Sequence, residues 1–100
     1  MLSEDTVLET IKENIIDPEI GINIVDMGLI YGVDINDTTV DITMTLTSPG
    51  CPAGGQIVNG AQHVTQQLDG VDEVNVNVVW NPRWTPEMMS EDARDELGIF

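Results

Sequence analysis

Residues 40–47, with the sequence VDITMTLT, decide the fold of this 100-residue chain. Apolar and polar side chains alternate strictly along them, and this period of two is typical of a β-strand with one buried face. Residues 29–35 (LIYGVDI) show a similar alternation, and the intervening residues 36–38 (NDT) are typical of a turn. The two runs therefore predict a β-hairpin.

The segments on either side of the hairpin predict helices. Residues 3–14 carry apolar side chains at helical spacing, and Ser3 is a suitable N-cap. We expect Pro18 to end this helix, because the residue before a proline is pushed out of helical geometry. A second apolar stripe predicts a helix that begins at residue 53 or 56 and ends at Leu68, with Gly70 as a stop signal.

A third strand is expected at residues 73–80, where Trp80 continues the buried face, and a short helix should end near Gly98. The predicted fold is an α/β (α+β) two-layer sandwich, in which helices cover one face of a small three-stranded mixed sheet. Its order is helix-strand-strand-helix-strand-helix. We expect residues 1–100 to form a single domain.

The charge of the chain is strongly one-sided. Three Lys and Arg residues stand against 18 Asp and Glu residues, for a net charge of −15. Such a surface repels phosphate backbones and anionic lipids, so neither nucleic acid nor a membrane is an expected partner. It keeps a protein soluble by self-repulsion, and it also suits a high-salt cytoplasm, where screening weakens that repulsion.

The compartment follows from the cysteine count and the first residues. One cysteine cannot form an intramolecular disulfide, and the N-terminal sequence MLSED is acidic where a signal peptide would be basic. No apolar run approaches the roughly 20 residues of a membrane span. We therefore expect a reducing cytoplasm.

Cys51 is the candidate reactive residue. It lies in residues 47–52 (TSPGCP), between a predicted strand and a predicted helix. Pro52 suits the first helical turn, so Cys51 would lie where free N–H groups and the helix dipole stabilise a thiolate. Gly50 lets the backbone approach a ligand closely. A small buried side chain is the alternative, but a loop rich in Gly and Pro is a poor place for one.

A single thiolate leaves a metal site incomplete, since zinc and iron–sulfur clusters usually need three or four protein ligands. The other ligands would come from a second subunit, a partner protein, a small thiol, or carboxylates such as Asp17 and Glu19. Those two residues also fit a simple helix-terminating turn. His63 lies off the apolar stripe of its helix, so we expect it to face solvent. Trp84 fits either the core or the wall of an interface.

Several short motifs together resemble one protein family. They are DPE at 17–19, DMGLIY at 26–31, MTLTSPGCP at 44–52, WNPRWT at 80–85, MS at 89–90 and LG at 97–98. Their order and content resemble the SufT-like family of iron–sulfur cluster assembly proteins. That family also includes PaaD-type proteins, the eukaryotic cytosolic iron–sulfur targeting subunit and the N-terminal domain of some Mrp/ApbC-type carriers. The resemblance covers residues 4–98.

The resemblance implies an accessory factor for the maturation of iron–sulfur proteins, and not an enzyme. The family's reactive cysteine falls on Cys51, which would hold a transient iron–sulfur cluster or contact a carrier or client protein. A second chain, such as the other copy of a homodimer, would complete the site. The supporting residues would be Asp17, Glu19, Thr47, Gly50, Pro52 and Trp84.

Two alternatives to this interpretation stay open. A PaaD-like adaptor would serve one dedicated metalloenzyme complex and bind no cluster itself. A thiol-dependent hydrolase or redox enzyme would need a base or a resolving cysteine beside Cys51, and the sequence offers no well-placed one. The chain also departs from the family at Arg83, where the usual tryptophan motif has a second proline, and we expect this change to affect a partner surface and not the fold.

Overall fold

Within the described residues, three α-helices and three strands follow one another in the predicted order, with a 3-10 turn before the last helix, which confirms the two-layer sandwich. The computed structural model describes residues 2–18, 20–47 and 54–98. The elements are α1 (Glu4–Asn14), β1 (Ile30–Asn36), β2 (Thr39–Met44), α2 (Gly54–Gln66), β3 (Glu73–Val78), the 3-10 turn Pro86–Met88 and α3 (Glu91–Leu97).

The sheet has β2 at its centre, antiparallel to β1 and parallel to β3. The strict alternation predicted one buried face for β2, and on that face Val40, Ile42 and Met44 are fully buried. They share one apolar core with buried side chains of α1 and α2. In β1, Ile30 pairs with Met44 and Gly32 with Thr43, so the register shifts by one residue at a β-bulge.

The first helix has the predicted extent, but Pro18 is not what ends it. The Ser3 hydroxyl accepts a hydrogen bond from the Thr6 N–H at 3.2 Å, which caps the helix. The helix then ends at Asn14, before the influence of Pro18, because Ile15 is already extended. The carbonyl of Ile15 accepts a hydrogen bond from an N–H nine residues further along the chain, at 3.1 Å. Long-range backbone pairing, and not the proline, therefore stops α1.

Three details of the local predictions were wrong. The second helix ends at Gln66, and Leu68 belongs to the turn that follows. The third strand ends at Val78, and Trp80 is 47% exposed, so it does not continue the buried face. Thr45 was expected on the outer face of its strand, yet it is fully buried.

The C-terminal segment does not join the sheet. Ser90 caps α3 by accepting a hydrogen bond from the Ala93 N–H at 3.2 Å, and Gly98 ends the helix at a φ of 74°. Ala93 is buried in the common core. No helix within the described residues is long and apolar enough to cross a membrane.

Candidate functional site

The end of the sheet where β1 begins and β2 and β3 end is called here the loop end. Met44 marks it, because it pairs with Ile30 on one side and with Val78 on the other. Beyond Met44, the N–H of Thr45 donates to the carbonyl of Leu29 at 2.8 Å. This bond fixes the chain at the loop end just after β2, where the predicted cysteine motif starts.

The cysteine motif leaves the described chain after Thr47, which is half-buried, and re-enters it at Gly54, the buried first residue of α2. Cys51, Gly50 and Pro52 lie outside the described residues. Along the sequence, Cys51 is four residues from Thr47 and three from Gly54. The first turn of α2 holds no acidic residue that would offset the positive end of the helix dipole.

Asp17 lies in a turn that the backbone closes tightly. Its N–H donates to the carbonyl of Ile22 at 2.9 Å, and its carbonyl accepts from the N–H of Gly21 at 2.7 Å. Gly21 has a φ of 82°, a conformation that glycine adopts without strain. Asp17 is only 1% exposed, so it is a buried residue in a turn that backbone hydrogen bonds hold in place. Glu19 lies outside the described residues.

The chain leading into this turn packs against α2. A Cβ atom added to Gly60 would lie 2.8 Å from Cδ1 of Ile15, so the absence of a side chain at Gly60 permits the close approach. A cavity of about 140 Å³ separates the two segments, and its lining residues are Asn14, Ile15, Ile16, Gln56, Ile57 and Gly60. The turn that holds Asp17 therefore adjoins the helix whose first residue follows the cysteine motif.

Two further motifs bind each other directly, and their contacts are called here the C-terminal clasp. It joins residues 26–31 to residues 82–90. The hydrogen bonds run from Tyr31 Oη to the Pro82 carbonyl at 2.9 Å, from Trp84 Nε1 to the Met27 carbonyl at 2.7 Å, and from the Ser90 N–H to the Asp26 carbonyl at 2.8 Å. The clasp spans more than fifty residues of sequence.

Gly28 allows the clasp to close. Its φ is 79°, and a Cβ atom at this position would overlap the carbonyl group of Met88. Both features demand glycine, since other residues avoid this φ and would also collide with the facing backbone. In the sequence, the motifs around Gly28 and Trp84 are far apart, and no pattern links them. A lone glycine can suggest a positive φ, but it does not identify the backbone that lies against it.

The predicted supporting residue Trp84 takes a structural position. It is half-buried against the core, and its indole N–H is bound within the clasp. Its neighbours Trp80 and Arg83 are exposed. The structure thus brings Trp84 and Thr47 to the same end of the sheet, but with the tryptophan turned to hold the 26–31 segment.

Side chains that could bind a metal do not cluster in the described ranges. Within residues 2–18, 20–47 and 54–98, no three His, Cys, Asp or Glu side chains lie close enough together to hold a metal ion. His63 is exposed on α2, as predicted. A ligand set for a metal would therefore need residues outside these ranges or from another molecule.

Comparison with known proteins identifies the family. The model of a family described as "Iron-sulfur cluster assembly protein" matches residues 4–78. The Fe-S protein maturation auxiliary factor SufT of Staphylococcus aureus is 45% identical over 86 residues, covering 85% of this chain and 98% of that protein. The Fe-S protein maturation auxiliary factor YitW of Bacillus subtilis is 44% identical over 99 residues, covering 91% and 97%.

A solved structure agrees with these matches along almost the whole chain. The crystal structure of a domain of unknown function, DUF59, from Bacillus anthracis superposes with a TM-score of 0.90 at 43% identity. The superposition covers 97% of this chain and 92% of that one. Fold and sequence agree with the SufT-like resemblance, and the chain belongs to the iron–sulfur cluster assembly protein family.

Proposed function

We propose that this protein is an accessory factor in the maturation of iron–sulfur proteins. One observation carries the proposal: the chain matches the Staphylococcus aureus maturation factor over 98% of that protein's length at 45% identity. We infer that it acts as one domain in a reducing cytoplasm, assists carriers or clients by contact, and catalyses no reaction of its own.

Cys51 is proposed to take part by ligand exchange, with the iron–sulfur cluster as cargo. The Cys51 thiolate would form an iron–sulfur bond as a donor protein's thiolate leaves, and a client thiolate would later displace Cys51. Each exchange forms one iron–sulfur bond and breaks one, and the thiolate that leaves carries away the negative charge that the incoming thiolate brings. The cluster keeps its oxidation state throughout, so no oxidant or reductant is needed.

The surroundings of the motif support this role. Thr47 and Gly54 hold the two ends of the motif at the loop end, and the positive terminus of α2 favours a thiolate there. Asp17 is proposed to shape the site from its buried turn, with Glu19 beside it in sequence. Gly50 and Pro52 would give the backbone its close approach and its helix start.

Trp84 is proposed to support the site only through the stability of the fold. Its bond to the Met27 carbonyl holds the segment that leads into Leu29, and Leu29 in turn holds Thr45. A partner chain would supply the ligands that Cys51 lacks, because an iron–sulfur cluster needs several.

The test is maturation of an apo iron–sulfur enzyme by purified protein under anaerobic conditions, with iron, sulfide and a donor protein supplied. We expect Cys51→Ala to lose the maturation activity while its free energy of unfolding stays within about 1 kcal/mol of wild type. Ser90→Ala is the matched control, since it removes a small hydroxyl group from the N-cap of α3 and should leave maturation intact. If Cys51→Ala matures the client as fast as wild type, the role of Cys51 is wrong.

The PaaD-like adaptor is distinguished by a second readout, the iron content of the protein during turnover. A factor that passes a cluster through Cys51 should bind iron transiently, and this iron should be absent from Cys51→Ala. Maturation that proceeds with no iron on the wild-type protein at any time would favour the adaptor. The names of the relatives reported above favour the maturation factor.

A further inference from the structure

The strand β3 lies at an edge of the sheet, with β2 as its only strand neighbour among the described residues. The Val79 N–H donates to the Met44 carbonyl at 2.8 Å, and the Glu73 N–H donates to the Thr38 carbonyl at 3.4 Å. Odd-numbered residues of this strand therefore direct their backbone groups toward β2. Because these directions alternate along a strand, residues 74, 76 and 78 direct theirs outward.

This outward edge lacks the usual protection against pairing. Edge strands are commonly guarded by lysine, proline, a β-bulge or inward-pointing charge. The sequence of β3 is EVNVNV, in which Glu73 is the single charge and none of the other features occurs. Gln62 reaches the edge at one point, where its Nε2 donates to the Val74 carbonyl at 3.3 Å. The opposite edge strand, β1, carries a bulge and Asp34.

The edge is also self-complementary. Residues 74–78 read VNVNV in both directions, with Val76 at the centre. We propose that β3 pairs antiparallel with β3 of a second copy of this chain, across a two-fold axis at Val76. Such a pair is isologous, so each copy uses the same surface. The three outward-facing residues of each strand would form about six backbone hydrogen bonds in this register.

The side chains fit this register as well as the backbone. Val74 would face the partner's Val78, and Asn75 would face the partner's Asn77 at a position where the two amides can bond. Glu73 would face the partner's Val79, so no like charges lie directly opposite. A strand from an unrelated protein has no reason to match this palindrome, and the second copy is therefore the occupant that the sequence favours.

Charge and size limit the strength of this dimer. Two copies with a net charge of −15 each repel, and salt screens that repulsion, so association should increase with ionic strength. One pair of short strands buries far less than the roughly 1,200 Å² of a stable interface, so we expect a weak dimer that forms only at high protein concentration.

The dimer is independent of the function proposed above. An axis through Val76 reverses the direction of the second sheet, so the two loop ends point away from each other. The partner in this dimer would not complete the site of Cys51. Loss of dimerisation and loss of maturation activity would therefore report on separate proposals.

Sedimentation velocity across protein and salt concentrations tests the proposal. The variant Asn75→Lys with Asn77→Lys places lysines opposite lysines in the proposed register, while Asp41 can pair with the lysine at position 75, because it already accepts a bond from Asn75 at 3.0 Å. The charge-matched control carries Asn36→Lys with Asn59→Lys, at exposed positions outside β3. We expect at least a tenfold weaker dimer in the first variant and an equal or stronger dimer in the control.

Hydrogen exchange of the unmodified protein tests the proposal even if the lysine variants do not fold. Amide hydrogen exchange at Val76 and Val78 should slow as the protein concentration rises in high salt, while exposed amides outside β3 keep their rates. A mass that stays monomeric at all salt concentrations would overturn the proposal. So would a dimer that survives the two lysines in β3, or one that leaves the exchange of Val76 unchanged.

Discussion

The C-terminal clasp is closed by direct contacts between two motifs, whereas the loop end is framed by residues that flank a motif. In the clasp, Trp84 and Tyr31 each bond to a backbone carbonyl of the opposite segment. At the loop end, Thr47 and Gly54 flank the residues that lead to and from Cys51, and the segment before the Asp17 turn packs against α2. Both regions contribute to the family resemblance.

The difference shows that a family motif can serve either the stability of the fold or the function of the protein. The hydrogen-bonding groups of the clasp have their partners within the chain, so these groups stabilise the fold. The sequence holds no second cysteine, and the function proposed for Cys51 would draw its partner from another chain. Changes in the clasp should therefore act on stability first, and changes at the loop end on maturation first.

The largest stability effect is expected for Gly28→Ala. The added Cβ would overlap the Met88 carbonyl group and would also occupy an unfavourable φ, so we expect a loss of about 3 kcal/mol in the free energy of unfolding. Denaturant unfolding measures it. Gly70→Ala is the control, because Gly70 has a φ of 87° but nothing within 4 Å of an added Cβ. It should lose about 1 kcal/mol. Equal losses in the two variants would mean that the clasp contact adds nothing.

A smaller effect is expected for Trp84→Phe. Removing the indole N–H deprives the Met27 carbonyl of a 2.7 Å hydrogen bond, and the smaller ring packs less surface, for a loss of about 1–2 kcal/mol. The matched control Trp80→Phe alters a side chain that is 47% exposed and should stay within about 0.5 kcal/mol of wild type.

The same pair of variants tests whether Trp84 belongs to the site. At a temperature where Trp84→Phe is fully folded, we expect maturation at close to the wild-type rate. A variant that keeps its stability but loses maturation would move Trp84 from the clasp to the site, and would remove the contrast between the two regions.

The sequence predicted the fold wherever local pattern and tertiary position agree. The alternation in β2 predicted its buried face, and the N-cap Ser3 predicted the start of α1 correctly. Trp80 was misplaced because the alternation continues two residues past the point where the chain turns away toward the clasp. The prediction for Thr45 was wrong because β2 ends at Met44, so the alternation of the strand no longer determines which side of the chain is buried.

The site was predictable to a smaller extent than the fold. The DPE motif did not indicate that Asp17 is buried, because burial there results from backbone pairing with Ile22 and Gly21. The contact between Ile15 and Gly60 likewise depends on how two helices cross. The role of Cys51 remains a prediction that rests on the family resemblance and on the chemistry of a thiol near a helix start.

The smallest change in stability, and the sharpest test of the loop end, is expected for Gly60→Ala. The new Cβ would push Cδ1 of Ile15, which is the flexible end of a side chain and can yield at little cost. Alanine also gains up to about 1 kcal/mol of helix propensity over glycine, so the net change in unfolding free energy should stay within about 0.5 kcal/mol. Because Ile15 leads directly into the Asp17 turn, we expect a several-fold slower maturation.

Gly55→Ala is the control for this last variant, since it makes the same substitution in the same helix with nothing within 4 Å of the new Cβ. It should gain stability and keep the wild-type maturation rate. A Gly60→Ala protein that matures its client normally would show that the Asp17 turn tolerates displacement, and Asp17 would then be a residue of the fold. A slower rate at unchanged stability would instead show that the Asp17 turn serves maturation together with Cys51. Function, and not packing, would then determine which residues occupy the turn.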